Sequence, residues 1–341
     1  MLQSNAKSET ATDDDRLHLY EKTNRQYIPV LKAGSGRYGN VWLALKADVL
    51  HSKKPFKPQL IALKLPTPRN ENMLTREVQK LQYLQTTAGS PTARFVTCFH
   101  AQWDESHTYC DWYTMTAIPG FTLHDLIVTF ACPSLPVPEA LVSHVAIQLA
   151  EAFRWLHTHD PPLLHGDFHE ANVMLDPSKQ DVPGFPNVTL IVFGNAKDGT
   201  PAALHVERVR YFQMIKELAM VDVGHTWCVN TLREKHADCN HDDEWIEFLK
   251  VVRDPRCIQN GQYAMGWQEF WGRCLFKAIK RRDNASQKVK MAVRRRVDLA
   301  MQKSAVMGEV DCMEAVEYFK TIAPSTDVSD GSPGSSGGRT H

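Results

Sequence analysis

The sequence predicts an α+β protein of two lobes, a small strand-rich lobe with one helix and a larger helical lobe after it. Three patterns carry this expectation. Residues 26–117 mostly alternate apolar and polar side chains, residues 71–85 break that alternation with helical spacing, and the pattern after Pro119-Gly120 is helical nearly to residue 322. The 341 residues are 43% apolar and 23% charged, enough for a substantial core in one large or two moderate domains.

Taken in order, residues 1–24 are polar, with an acidic step at Asp13-Asp14-Asp15, and read as a flexible leader. Residues 27–33 and 40–46 alternate around a glycine cluster, as a hairpin does, and 60–65 form a third short strand. Residues 71–85 place Leu74, Val78, Leu81 and Leu84 on one helical face. Residues 94–101 and 108–117 read as two more strands, and a hinge is expected near 116–120. A long helix follows over 137–158, then short strands at 172–175 and 188–193 around a Pro/Gly-rich loop. Successive helices run from about 205 to 322, and a Ser/Gly tail occupies 323–341. The folded unit is therefore 25–322, with lobes 25–117 and 118–322.

Charge and composition exclude some functions. Lys+Arg and Asp+Glu both number 39, which argues against nucleic-acid binding by the chain as a whole. No apolar run reaches the ~18 residues of a membrane helix, and the polar start has no signal-peptide core. The eight cysteines lack C-x-x-C spacing and read as reduced thiols of a cytoplasmic or nuclear protein.

Gly34-Ser35-Gly36-Arg37-Tyr38-Gly39 fits G-x-G-x-x-G. A dinucleotide-binding fold would open a helix here and place an acid ~20 residues on. The continuation Asn40-Val41-Trp42-Leu43-Ala44 is strand-like, and the region near Gln59 has no carboxylate. A hairpin over a triphosphate fits better, because glycines let backbone N–H groups approach phosphate oxygens. Val41 follows the last glycine by two positions, and Lys64 ends the strand Ile61-Ala62-Leu63. A buried ammonium needs a partner, and Glu77 is the candidate, with Glu71 behind it.

The strongest signal is Leu163-Leu164-His165-Gly166-Asp167-Phe168-His169-Glu170-Ala171-Asn172-Val173-Met174-Leu175, a polar loop between apolar flanks. With the glycine loop, Lys64, Glu77 and the Pro119-Gly120 hinge in the same order, residues 26–220 resemble the protein kinase superfamily. The resemblance implies ATP between the lobes and magnesium beside it. Asp167 would be the base for the acceptor hydroxyl, Asn172 a magnesium ligand, and Lys64, paired with Glu77, the grip on the α/β-phosphates. Val41 and Ala62 would roof the adenine and Met174 floor it, with Met115 as gatekeeper and Thr116, Ala117 and Ile118 as hinge. His169 stands where protein kinases carry a phosphate-contacting lysine. His-Gly-Asp, in place of His-Arg-Asp, is the form found in small-molecule kinases and some atypical kinases.

One element departs. The strand Leu190-Ile191-Val192-Phe193-Gly194 has Val192 where the family has the metal-binding aspartate. Valine cannot ligate a metal, which puts magnesium in doubt, and losing about 4 kcal/mol of metal stabilisation slows transfer roughly a thousandfold. Asp176, Asp181 and Asp198 are the nearby carboxylates, and none fits the strand register without moving the Phe-Gly pair. Leu81, His165 and Phe193 match the apolar stack that joins the lobes in this family. The segment after Gly194 is short and has no Ala-Pro-Glu.

The expectation is an ATP-binding, pseudokinase-like domain. An active phosphotransferase on a protein or small-molecule hydroxyl, and a nucleotide-free scaffold, are the alternatives. Two further features stand apart: a His/Cys group at His225, Cys228, His236, Cys239 and His241, with no standard zinc spacing, and the basic stretch 277–303, a solvated face or a dock for an acidic partner, RNA or a membrane surface. Trp245, Trp267 and Trp271 read as core.

Overall fold

A computed structural model describes residues 12–36, 39–51, 59–130, 137–219, 242–253, 266–304 and 309–322. The architecture is mixed, with a five-stranded antiparallel sheet in the N-terminal region and a larger helical part after it, as a two-lobed kinase-like fold requires.

The strands of the small lobe are β1 (Tyr27–Gly36), β2 (Gly39–Lys46), β3 (Ile61–Pro66), β4 (Cys98–Trp103) and β5 (Cys110–Thr116). They lie in the order β1-β2-β3-β5-β4. The register sets Val41 opposite Lys64, and Ala62 opposite Met115. The predicted strand at 94–101 starts later, because residues 92–94 form a 3-10 turn that holds the chain away from the sheet.

Helix α2 (Glu71–Thr86) buries Leu74, Val78, Leu81 and Leu84, the predicted stripe. Each such side chain stabilises by about 1.5–3 kcal/mol. The stripe joins a core that crosses both lobes and includes Phe95, Phe153 and Phe193.

The large lobe is built on α4 (Glu139–Thr158), which is buried nearly all round and so reads as a central helix. Helix α3 (Leu123–Phe130) precedes it, opened by reciprocal Thr122 and Asp125 caps. The hairpin of β8 (Val173–Asp176) and β9 (Asn187–Leu190) pairs with β6 (Phe121–Thr122), and β7 (Leu163–Leu164) pairs with β10 (Lys197–Asp198). The second predicted strand of this lobe ends at Leu190, three residues short of 193, because the backbone turns at Val192. Helix α5 (Pro201–Ala219) follows, then α6 (Asp243–Arg253). Next come α7 (Trp267–Phe270), a π turn at 271–275, α8 (Phe276–Asp283), α9 (Gln287–Lys303) and α10 (Glu309–Ile322). Trp245 and Trp267 are buried, and Trp271 is half-buried.

The leader reading of 1–24 needs correction where it can be seen. Asp13–Lys22 is a helix, α1, with Leu19 and Tyr20 buried. Thr12 and Asp15 form a capping box, and three acids in the first turn suit the positive end of the helix dipole. The acidic run that read as a disorder signal is a helix start. At the other end, α10 buries Cys312, Ala315, Val316 and Phe319 against Ile28, Val30 and Leu45 of the small lobe. Phe319 meets Tyr20 of α1 at 4.8 Å. The tail 323–341, Arg37 and Tyr38, and the His225–His241 group lie outside the described residues. Among the described residues, no helix is long and apolar enough to cross a membrane.

Candidate functional site

The glycine hairpin closes where β2 begins. A Cβ on Gly39 would stand 2.4 Å from the Leu65 carbonyl oxygen and 3.3 Å from Lys64 Cε, so only glycine lets the hairpin lie this close to β3. Gly34 has open space at the same test, and Gly36 has one atom at ordinary contact distance. Ser35 Oγ donates to Asn40 Oδ1 at 2.8 Å and ties the two strands near the tip.

Lys64 and Glu77 are both buried, and Nζ donates to Oε2 at 2.6 Å. Glu77 Oε1 accepts from the Phe193 N–H at 3.1 Å. One carboxylate thus joins β3, α2 and the Phe-Gly segment. Glu71 lies at the start of α2, where it accepts from the Arg69 N–H, and leaves the pairing to Glu77. Burial, then the Glu77 charge, push the Tyr113 hydroxyl well above its ordinary pKa.

The stack across the lobes is present. Phe193 lies 4.7 Å from the His165 ring and 5.6 Å from Phe95, and Leu81 is fully buried in the same cluster. Burial lowers the His165 pKa. Its Nδ1 accepts from the Asp167 N–H at 3.3 Å, so Nε2 carries the hydrogen and donates to the Ile191 carbonyl at 2.9 Å.

The polar loop is folded on Asn172. Its Nδ2 donates to the Asp167 carbonyl at 2.8 Å, and lies 2.9 Å from His169 Nε2 and 3.3 Å from Asp167 Oδ2. The amide hydrogens face the loop, and the Asn172 side-chain oxygen is a neutral acceptor with lone pairs that could ligate a cation. His169 accepts at Nε2, so its Nδ1 carries the hydrogen. Asp167 is half-buried and His169 exposed.

At the hinge, Met115 is buried, and Thr116, Ala117 and Ile118 are half-buried. The Thr116 N–H is engaged by the Thr97 carbonyl at 2.9 Å. Gly120 is needed here, since a Cβ would stand 1.9 Å from the Leu175 carbonyl. Met174 is half-buried in β8 and sits opposite Thr122. A cavity of about 350 Å³ opens beside the hinge, bordered by Thr97, Thr116, Ile118 and Asn187, and lined by neither Lys64 nor Asp167.

Val192 has φ +65°, in the left-handed region that a β-branched residue strongly disfavours. The three nearby carboxylates are engaged elsewhere. Asp176 accepts from Ser178, Asp181 pairs with Arg94 and Asn187, and Asp198 pairs with Lys80. Magnesium prefers oxygen ligands, usually with carboxylates among them. Here the residues offer the Asn172 oxygen and no carboxylate before Phe193. Among the described residues, no group of three or more His, Cys, Asp or Glu could hold a metal ion. The set does not fit the magnesium arrangement that the resemblance implies.

Gly166 is required by the backbone. Its φ is +79°, and a Cβ would stand 2.2 Å from the Asn195 carbonyl oxygen. Its N–H donates to Glu207 Oε1 at 2.9 Å, while the His165 N–H donates to Oε2 at 3.2 Å. Glu207, on α5, is buried. Burial would raise its carboxyl, but hydrogen bonds from His157 and the loop, with the His165 ring nearby, hold it below the ordinary range. The sequence reading missed Glu207. Its loop partners lie 41 and 42 positions upstream, and no local spacing marks it.

The basic stretch is partly engaged. Arg281 pairs with Glu139 and Asp242, and Arg296 is buried. Lys288, Arg294 and Arg295 lie on the exposed face of α9, where Arg294 pairs with Asp298 at 3.9 Å.

No protein-family model matches the chain. Interleukin-1 receptor-associated kinase 1 of Bos taurus is 27% identical to it over 162 residues, 47% of this chain and 21% of that relative. The chain therefore resembles a protein kinase over somewhat less than half its length, and the matched part spans about a fifth of the relative. This supports a kinase-like relationship.

Proposed function

We propose that the chain is a kinase-like domain that holds ATP between its lobes and transfers phosphate weakly or not at all. The buried Lys64–Glu77 pair, 2.6 Å apart beside the glycine hairpin, carries this reading. Such a pair keeps an ammonium charged inside the protein and aims it at an anion. In this reading Val41, Ala62 and Met174 would wall a purine, and Asp167 would face the far end of the triphosphate. Val192 removes the carboxylate that transfer needs at the metal.

The test is titration of the purified protein with ATP, with and without magnesium, followed by thermal denaturation. ATP should raise the melting temperature with little dependence on magnesium. Lys64→Met should abolish that rise. Val192→Asp should then introduce magnesium dependence and a large gain in transfer to a hydroxyl acceptor. Robust magnesium-dependent turnover by the natural chain would overturn the weak-transfer reading. Absence of any nucleotide effect would leave a binding scaffold.

A second reading, an active phosphotransferase, draws on the assembled loop of Asp167, His169 and Asn172. The Gly166 loop and the six residues between Gly194 and α5 favour a small-molecule acceptor over a peptide platform. High activity left unchanged by Val192→Asp would establish it.

A further inference from the structure

We propose that Trp267 and His157 are positioning residues that fix the polar loop at Asp167 through Glu207. The functional meaning of this tie rests on reading that loop as catalytic; the tie itself does not. Glu207 receives three hydrogen bonds. Two come from the N–H groups of His165 and Gly166, and the third from His157 Nε2 at 2.9 Å. Behind His157, the Trp267 indole N–H donates to Nδ1 at 3.0 Å.

The chemistry fixes every hydrogen in this chain. An indole N–H can only donate, so Nδ1 of His157 must present its lone pair. The ring hydrogen is then on Nε2 and points at Glu207. A neutral imidazole thus has both nitrogens satisfied, and the carboxylate has its oxygens shared between the loop and the ring.

All three side chains are buried, at 5%, 7% and 4% exposure for Trp267, His157 and Glu207. Trp267 is itself held by rings. It lies parallel to Phe153 at 6.3 Å and edge-on to Tyr211 at 5.1 Å. The relay therefore starts on a fixed group in α7, passes through α4 and α5, and ends on the backbone next to Asp167.

The loop needs such a tie because Gly166 carries no side chain and sits at positive φ, which glycine enters about as readily as negative φ, so its own preference does not hold it there. Without the His157 hydrogen bond, Glu207 is a buried carboxylate short of a donor. It must then shift or admit water, and its two backbone partners move with it.

Amide hydrogen exchange of the full chain tests this. Trp267→Phe keeps an aromatic ring but deletes the donor together with part of the indole. His157→Leu removes the relay. His157→Gln can donate to Glu207 and accept from Trp267. We expect exchange over residues 164–167 to speed up at least about tenfold in His157→Leu, and by a smaller factor in Trp267→Phe. Strand 61–65 should keep its protection, and His157→Gln should restore most of the loop protection. In the natural chain, tryptophan-selective nitrogen labelling should give a slowly exchanging, hydrogen-bonded Trp267 indole signal that His157→Leu loses.

Unchanged exchange over 164–167 in Trp267→Phe and His157→Leu would overturn the proposal. Equal loosening of 164–167 and 61–65, or a glutamine no better than leucine, would also overturn it. If His157→Leu does not fold, Trp267→Phe decides. None of these measurements needs nucleotide, so failure to bind ATP would sink the proposed function and leave the relay standing.

Discussion

The two sides of the cleft are built to different degrees of completeness. On the small-lobe side, Lys64, Glu77 and the Phe193 N–H form a closed set in which each charge meets an opposite charge or a donor. On the large-lobe side, Asp167 and Asn172 are held in place, but the residue before Phe193 is a valine. The backbone there still adopts φ +65°, a conformation natural to glycine or asparagine and costly for valine. The buried frame of Lys64 and Glu77 and a metal-ligating side chain at residue 192 are thus separable. The first is kept by packing and a buried ion pair; the second depends on one side chain that packing does not require.

The sharpest way to break this contrast is to unbalance the complete side. Glu77→Gln leaves the Lys64 charge buried against a neutral amide and should cost about 3–5 kcal/mol in urea unfolding. Asp198→Asn, which removes an exposed pair with Lys80, should cost less than ~0.5 kcal/mol. Equal effects would mean that the buried pair does not organise the cleft.

Restoring the common arginine is the next test. Gly166→Arg forces a side chain into positive φ and against the Asn195 carbonyl, and should cost about 3 kcal/mol. A neutral result by the same unfolding assay would show that the loop tolerates other shapes.

The large lobe should also respond to acid. Burial pushes the His144 pKa down from 6.5 to about 3, while Nε2 donates to the Pro186 carbonyl. The unfolded chain binds a proton that the native protein refuses. Stability from this group is therefore full above pH 6.5 and falls as pH drops toward 3, by roughly 1.4 kcal/mol per unit. Unfolding curves at pH 7.5 and 5 should differ by about 2 kcal/mol from this site, and His144→Gln should flatten the slope.

The smallest effect sharpens the incomplete side. Val192→Asn suits the left-handed backbone and should stabilise by about 1 kcal/mol, visible as a small rise in melting temperature. A fall would mean that the valine side chain contributes packing that outweighs its strain.

The glycine hairpin, the Lys64–Glu77 pair and the Asn172 loop were legible in the sequence, because each is marked by residue types at short, fixed spacing. The α2 stripe was legible for the same reason. Helix α1 was not, because three consecutive aspartates were weighed as charge rather than as the start of a dipole. Glu207 and His157 gave no signal and Trp267 read only as core, since their contacts span 41 to 110 positions. The positive φ at Val192 could not be read either. A β-branched residue after two apolar ones predicts a continuing strand, whereas in the structure the Phe193 N–H donates to Glu77 and the Ile191 carbonyl accepts from His165, on either side of the turn.

Helix α10 has a practical consequence. It comes from the far end of the polypeptide yet covers Ile28, Val30 and Leu45 near the beginning. A fragment trimmed after Ser304 would contain every motif of the cleft and still bare this oily patch, inviting clumping during expression. Boundaries drawn through residue 322 would keep the patch sheathed.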